Sequence, residues 1–192
     1  MREAQVSRQT RETDIRAKLC VDGSGRAEIA TGIGFFDHML TAFTVHGGFD
    51  LALTAKGDLE VDGHHTVEDT GIVLGTAFRQ ALGDRAGIAR YGSFFIPMDE
   101  ALVLCALDIS GRPFLQFDDP LGNQRVGEFD ACLTAEFLRA FAFNAGITLH
   151  VRVITGKNAH HIIEGIFKAL GHAMAAACAA KGGPALSTKG VL

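Results

Sequence analysis

Apolar and polar positions along this chain change period in an order that recurs. From His64 to about Leu82 the residues Val67, Ile72, Val73, Ala77, Phe78 and Ala81 follow helical spacing, and Gly83 ends the run. Before it, Phe49 to Lys56 and Asp58 to Val61 alternate as strands do. Phe35-Phe36-Asp37-His38-Met39-Leu40 opens an earlier helix reaching about His46, closed by Gly47-Gly48. Upstream, alternation from Ile15 to Ile29 around Asp22-Gly23-Ser24-Gly25 predicts a hairpin. The polar residues 1–11 predict a loose start.

The second half repeats this order. Phe94 to Ile96, Ala101 to Ile109 and Arg112 to Phe117 read as strands, with Pro97-Met98-Asp99-Glu100 as a turn. Asp130 to Asn144 is predicted helical and Ile147 to Thr155 a strand. A long Ala-rich helix runs from His160 to about Ala180, stopped by Gly182-Gly183-Pro184. The expectation is an α+β fold, an internally duplicated α/β repeat over residues 1–90 and 91–192 in one compact unit. Its helices pack between or against two mixed β-sheets.

The strongest sign of duplication is polar. His64-His65-Thr66-Val67-Glu68 and His160-His161-Ile162-Ile163-Glu164 stand half a chain apart in 192 residues. With two extra residues allowed in the first copy, Leu40/Leu138, Ala42/Ala140, Phe43/Phe141, Gly48/Gly146 and Leu51/Leu149 coincide, as do Gly75/Gly171 and Ala77/Ala173 downstream. In this register His38 falls opposite Glu136. A duplicated core has no reason of its own to retain two adjacent polar rings, so these blocks point to metal binding.

Helical geometry divides the ligands. Residues four apart share a face, so His64 with Glu68 and His160 with Glu164 can each grip an ion. Neighbours point about 100° apart, so His65 and His161 must aim elsewhere. Pseudo-symmetry suggests that His161 joins the His64/Glu68 ion and His65 the His160/Glu164 ion. His38 and Glu136 would add one ligand each. Imidazole and carboxylate without thiolate favour an octahedral divalent ion such as Mn²⁺.

Composition narrows the setting. Apolar residues at 47% and charged residues at 21% describe a globular protein. No stretch nears the ~18 uninterrupted apolar residues of a membrane span. Met1 is followed by Arg2-Glu3-Ala4-Gln5 rather than an apolar signal core, which sets the cytoplasm as the expected compartment. Cys20, Cys105, Cys132 and Cys178 lack C-x-x-C spacing and read as buried free thiols. A net charge of −4 argues against a nucleic-acid surface but leaves room for a basic pocket. Arg90, Arg112, Lys168 and Lys189 stand near Gly or Ser, the surroundings a phosphate needs, and Lys168 shares a helix face with Glu164.

Taken together, Thr31 to Leu40, Asp62 to Asp69, Asn158 to Glu164 with Phe167-Lys168-Ala169, and Ser187-Thr188-Lys189-Gly190 resemble the imidazoleglycerol-phosphate dehydratases of histidine biosynthesis. The resemblance runs from about residue 8 to the C-terminus, with no second catalytic domain fused. It implies loss of water from imidazole glycerol phosphate to give imidazole acetol phosphate, with two Mn²⁺ ions per site. It also implies a twenty-four-chain assembly with sites between subunits. His38, His64, His65, Glu68, His160, His161 and Glu164 match the family's ligand positions, and Glu136 stands where some members carry histidine. Glu12 matches the acid/base glutamate, and Arg90, Arg112, Lys168, Ser187 and Lys189 match substrate and phosphate contacts. Two other readings stay open at this stage. One is a dinuclear hydrolase of phosphate esters. The other is a non-catalytic protein whose ions staple an oligomer.

Overall fold

A computed structural model describes residues 1–188. Its elements run β1 (Glu3–Gln9), β2 (Thr13–Cys20), β3 (Ala27–Ala30), α1 (Gly34–Gly47), β4 (Asp50–Gly57), α2 (His64–Leu82), β5 (Tyr91–Met98), β6 (Ala101–Asp108), β7 (Phe114–Phe117), β8 (Arg125–Val126), β9 (Phe129–Asp130), α3 (Leu133–Ala145), β10 (Thr148–Thr155) and α4 (Ala159–Cys178). Apart from the short β8–β9 hairpin, both halves follow one order: three strands, helix, strand, helix.

The two main sheets are ordered β1-β2-β4-β3 and β5-β6-β10-β7. In each, the first two pairings are antiparallel and the last is parallel. Ile15, Ala17 and Leu19 of β2 point inward, as do Val103, Cys105 and Leu107 of β6. The helices lie against these inner faces: α2 on β1 and β2, α4 on β5 and β6. This is the α+β arrangement expected, with helices between mixed sheets.

Several local expectations need correcting. Residues 3–9 are not loose; they form β1, paired with β2 along its whole length. The hairpin is therefore β1–β2, not the segment around Asp22-Gly23-Ser24-Gly25. That segment does turn, because the Asp50 carboxylate accepts the backbone N–H groups of Ser24 (2.8 Å) and Arg26 (3.0 Å). It leads, however, to β3, which pairs with β4 and not with β2. Residues 58–61 are a turn rather than a strand, and Asp130 belongs to β9, so α3 starts later than predicted. Of the four free cysteines only Cys105 and Cys178 are buried; Cys132 is exposed and Cys20 half-buried.

Helix pairing crosses the halves. α1 packs on α4 and α2 on α3, so each pair takes one helix from each half. Phenylalanines knit them together. Phe43 of α1 lies 5.9 Å from Phe78 of α2 and 6.1 Å from Phe141 of α3, and Phe137 stacks 5.0 Å from Phe167 of α4. Glycine permits the close approach. A Cβ on Gly171 of α4 would stand 2.5 Å from the Phe43 carbonyl oxygen, and one on Gly75 of α2 would stand 2.5 Å from that of Phe141. Gly75/Gly171 and Phe43/Phe141 are identities of the repeat alignment, so both contacts are the same contact made twice.

Candidate active site at two helix-pair corners

The crossed pairing brings the polar blocks to two corners. At the α1/α4 corner, the Asn158 side chain accepts the His160 backbone N–H (2.9 Å) and fixes the first turn of α4. The Asp37 carboxylate accepts both the N–H (2.7 Å) and the hydroxyl (2.5 Å) of Thr31, locking the entry to α1 beside His38. His160 Nε2 then lies 3.1 Å, and His38 Nε2 3.5 Å, from Glu164 Oε2. Ligand atoms of His38, His160 and Glu164 all fall within 4.8 Å of one another, a set that suits a divalent ion. Lys168 Nζ donates to Glu164 Oε1 at 2.7 Å. Burial opposes ionisation of Glu164, but the Lys168 ammonium, helped by His160 and His38, outweighs it and holds the carboxyl below its usual range.

The α2/α3 corner is the same construction with a different filling. His64 Nε2 lies 3.8 Å from Glu68 Oε2 on α2. Glu136 reaches the group from α3, as the opposition of His38 and Glu136 suggested. A cation already stands between the acids: Arg139 Nη2 is 2.6 Å from Glu68 Oε1 and 2.8 Å from Glu136 Oε2. Its guanidinium pKa is raised by those hydrogen bonds, Glu136 first and Glu68 second.

His65 and His161 join neither corner within one chain. His65 Nδ1 meets Asp58 at 3.0 Å, and its Nε2 faces Glu12 at 3.8 Å. His161 Nδ1 meets Glu100 at 2.7 Å, and its Nε2 faces Asp99 at 3.6 Å. Both rings are pushed toward the protonated form, by the hydrogen bond to Asp58 and to Glu100 respectively. The second histidine of each pair thus faces a hairpin tip, Glu12 from β1–β2 and Asp99-Glu100 from β5–β6. Glu100 also accepts the backbone N–H groups of Asn158 and Lys157 (2.8 and 3.1 Å), and these bonds, with His161, bring its pKa down to about 2.

Arg90 and Arg112 lie elsewhere. Arg90 is buried, with Nε and Nη2 forked onto Asp108 at 2.7 and 3.0 Å, Nη1 on the Leu186 carbonyl, and its plane over Tyr91. Arg112 approaches Asp108 at 3.5 Å, and a cleft forms with Ser110, Ser187 and Arg85 in its wall. The Arg90 backbone N–H bonds to Ala177 at the far end of α4, and at 1.5 Å per residue that end is roughly 25 Å from His160. Lys168 therefore belongs with Glu164, apart from the arginine cleft. Lys189 lies outside the described residues.

The sequence profile of imidazoleglycerol-phosphate dehydratase matches residues 31–174. This chain belongs to that family. A curated relative of that name from Thermoanaerobacter pseudethanolicus is 63% identical over 174 residues, covering 91% of this chain and 90% of its own length. One from Azorhizobium caulinodans is 56% identical over 195 residues, covering 100% and 99%. The crystal structure of the Staphylococcus aureus enzyme superposes with a TM-score of 0.84 at 42% identity over 93% of this chain and 99% of that one. The Pyrococcus furiosus structure gives 0.85 at 40% over 97% and 100%. The family match spans both corners.

Arg139 completes the second corner, and Asp58 and Asp99 hold His65 and His161 beside the corners, without having been singled out in the sequence. Arg139 carried a usable signal, lying three residues beyond Glu136 on one helix face. Asp58 and Asp99 reach their histidines through turns; the strand-like alternation from Asp58 to Val61 pointed away from that role, and Asp99 lay in a predicted turn with no sign of a partner.

Proposed function

We propose that the chain dehydrates imidazole glycerol phosphate to imidazole acetol phosphate in histidine biosynthesis, in the cytoplasm, as a Mn²⁺-dependent enzyme with two ions per site. The observation that carries the metal reading is the convergence of His38, His160 and Glu164 within 4.8 Å. His64, Glu68 and Glu136 would hold the second ion, with His65 and His161 closing the ligand sets. When bound, the ions would act as Lewis acids toward the imidazole ring and as a template for it.

The remaining work falls to side chains of the chain itself. Glu12 stands on an exposed tip beside His65, where a carboxylate can take the proton from the carbon next to the ring and return it to the departing hydroxyl, so that water leaves. Arg90, Arg112, Ser187 and Lys189 would hold the phosphate, away from the bond that breaks, while Lys168, on Glu164, would contact substrate at the corner itself. Distance supports assembly. A substrate of this kind spans under about 10 Å, whereas corner and arginine cleft lie roughly 25 Å apart along α4. One chain cannot offer both to one molecule, which supports a homo-oligomer, twenty-four chains in the family's manner, with sites between subunits. The matched strand orders and helix contacts likewise support descent of 1–90 and 91–192 from one repeat.

The test is turnover of imidazole glycerol phosphate by protein that is chelated and then resupplied with Mn²⁺, with particle size followed in parallel. Activity and large size returning together are expected. Size returning without dehydration would leave the ions as staples, and phosphate release without loss of water would turn the reading toward a phosphate-ester hydrolase. Glu12→Gln should retain substrate binding and lose most turnover; near-normal turnover removes Glu12 from the reaction.

A further inference from the structure

Asp69 follows directly on Glu68 and is used by neither corner. It is buried, yet its carboxylate is fully engaged: Oδ2 accepts the Thr13 hydroxyl at 2.5 Å, and Oδ1 accepts Arg8 Nε at 2.9 Å. Arg8 is in β1 and Thr13 begins β2, so one carboxylate on α2 grips both legs of the β1–β2 hairpin. The grip continues to the tip. Thr10 Oγ1 lies 3.3 Å from Thr13 Oγ1 and accepts the backbone N–H groups of Glu12 and Thr13, both at 3.0 Å. A continuous series of hydrogen bonds therefore joins α2, which carries His64, His65 and Glu68, to the backbone of Glu12.

Among the described residues, the other half builds nothing equivalent. Its residue in register with Asp69 is Gly165, where even a Cβ would stand 3.1 Å from Val103. There the β5–β6 tip is tied through Glu100 to the backbone before α4. A repeat that spends a buried carboxylate at one of two equivalent places has a need at that place, and the first tip is the one that presents Glu12 beside His65.

We infer that Asp69 is a positioning residue for Glu12, setting the tip against α2 through Thr13 and Arg8. This rests on the reading of Glu12 as the proton-carrying group. Displacement of a reacting group by about 1 Å can cost on the order of 100-fold in rate, so the effect should fall on kcat.

The experiment compares Asp69→Asn, Thr13→Val, Thr13→Ser and Glu12→Gln in the assembled, Mn²⁺-loaded protein, reading kcat, KM, bound Mn²⁺ and amide exchange at residues 10–13. Asp69→Asn and Thr13→Val should lower kcat at least about tenfold, leave KM and Mn²⁺ content close to the parent's, and speed exchange at the tip. Thr13→Ser, which keeps the hydroxyl, should behave as the parent. Should Asp69→Asn not assemble, the near-isosteric Thr13→Val decides alone. A loosened tip with undiminished kcat, while Glu12→Gln is inactive, overturns the positioning role; so does loss of Mn²⁺ as the source of the defect. Near-normal turnover by Glu12→Gln sinks the underlying reading instead, and that variant reports it independently of Asp69.

Discussion

The α1/α4 and α2/α3 corners are built alike and filled differently. Both place a His-x-x-x-Glu face on one helix and a further residue on the helix from the other half. At the first corner that residue is His38, and the charge partner of Glu164 is Lys168, one turn along the same helix. At the second it is Glu136, and the partner is Arg139, inserted between two carboxylates. Two imidazoles and one acid can take a divalent ion as they stand. Two acids already bridged by a guanidinium must first exchange one cation for another. Equal backbones therefore do not guarantee equal sites: the side chain that neutralises the acid decides how ready the ligand set is.

The comparison breaks most sharply on the ligands. Loss of a partner behind a ligand commonly costs 10–100-fold, so if Glu164 ligates the ion as proposed, Glu164→Ala should cost at least about 100-fold in turnover. Metal analysis should show Mn²⁺ lost from the first corner while His64 and Glu68 keep theirs. An unaltered Mn²⁺ content would detach that corner from the metal.

Next comes the shared scaffold. Gly171→Ala and Gly75→Ala each force a Cβ against the backbone of the opposing helix, and overpacking of this kind costs about 1–3 kcal/mol. Urea denaturation should give similar losses for the two, since the contacts are repeats of one another. A loss confined to one would mean that the helix pairs differ in packing as well as in filling.

A smaller effect is expected from Arg139→Gln. An exposed ion pair contributes up to about 1 kcal/mol, so removing the competing guanidinium should tighten Mn²⁺ binding at the second corner by roughly fivefold, with no change at the first. Titration followed by electron paramagnetic resonance would resolve the two. Weaker binding at the second corner would make Arg139 a support rather than a competitor.

The least effect concerns pH. The Glu100 pKa falls from 4.5 to about 2, chiefly because it accepts the Asn158 N–H. A depressed carboxyl contributes stability above its unfolded pKa and loses it as pH falls through the folded value. Glu100→Gln should therefore flatten the acid side of the stability curve between about pH 4.5 and 2. A curve parallel to the parent's there would place the acid sensitivity elsewhere.

The sequence disclosed what is local and periodic. α2 and α4 were legible to within a few residues because their apolar faces are strong; Gly83 caps α2, while α4 ends at Cys178 on Ala179, ahead of Gly182-Gly183. The doubled His-His-x-x-Glu block set the two halves in register, and opposing His38 to Glu136 anticipated their matching places on α1 and α3. β1 escaped because its outward positions Glu3, Gln5, Ser7 and Gln9 alternate with only partly buried Ala4, Val6 and Arg8, a faint pattern natural to an edge strand. The turn at Asp22-Gly23-Ser24-Gly25 misled for another reason. Its residues do turn, but partner choice for β3 is set by a register with β4 that no short-range signal carries. The Arg139–Glu68 half of the arginine–acid bridge and the Asp69 network stayed hidden because both depend on helices and hairpins meeting from distant parts of the chain.

The crossed helix pairing has an evolutionary consequence. If the two halves descend from one ancestral unit, that unit owned both faces of a corner but could not close them on itself. It would have needed a second copy, giving a symmetric dimer with two identical corners. Joining the copies in one chain removed the obligation of identity. A mutation then altered one corner and spared its twin, and the inherited pair was free to become a His38 corner on one side and a Glu136–Arg139 corner on the other.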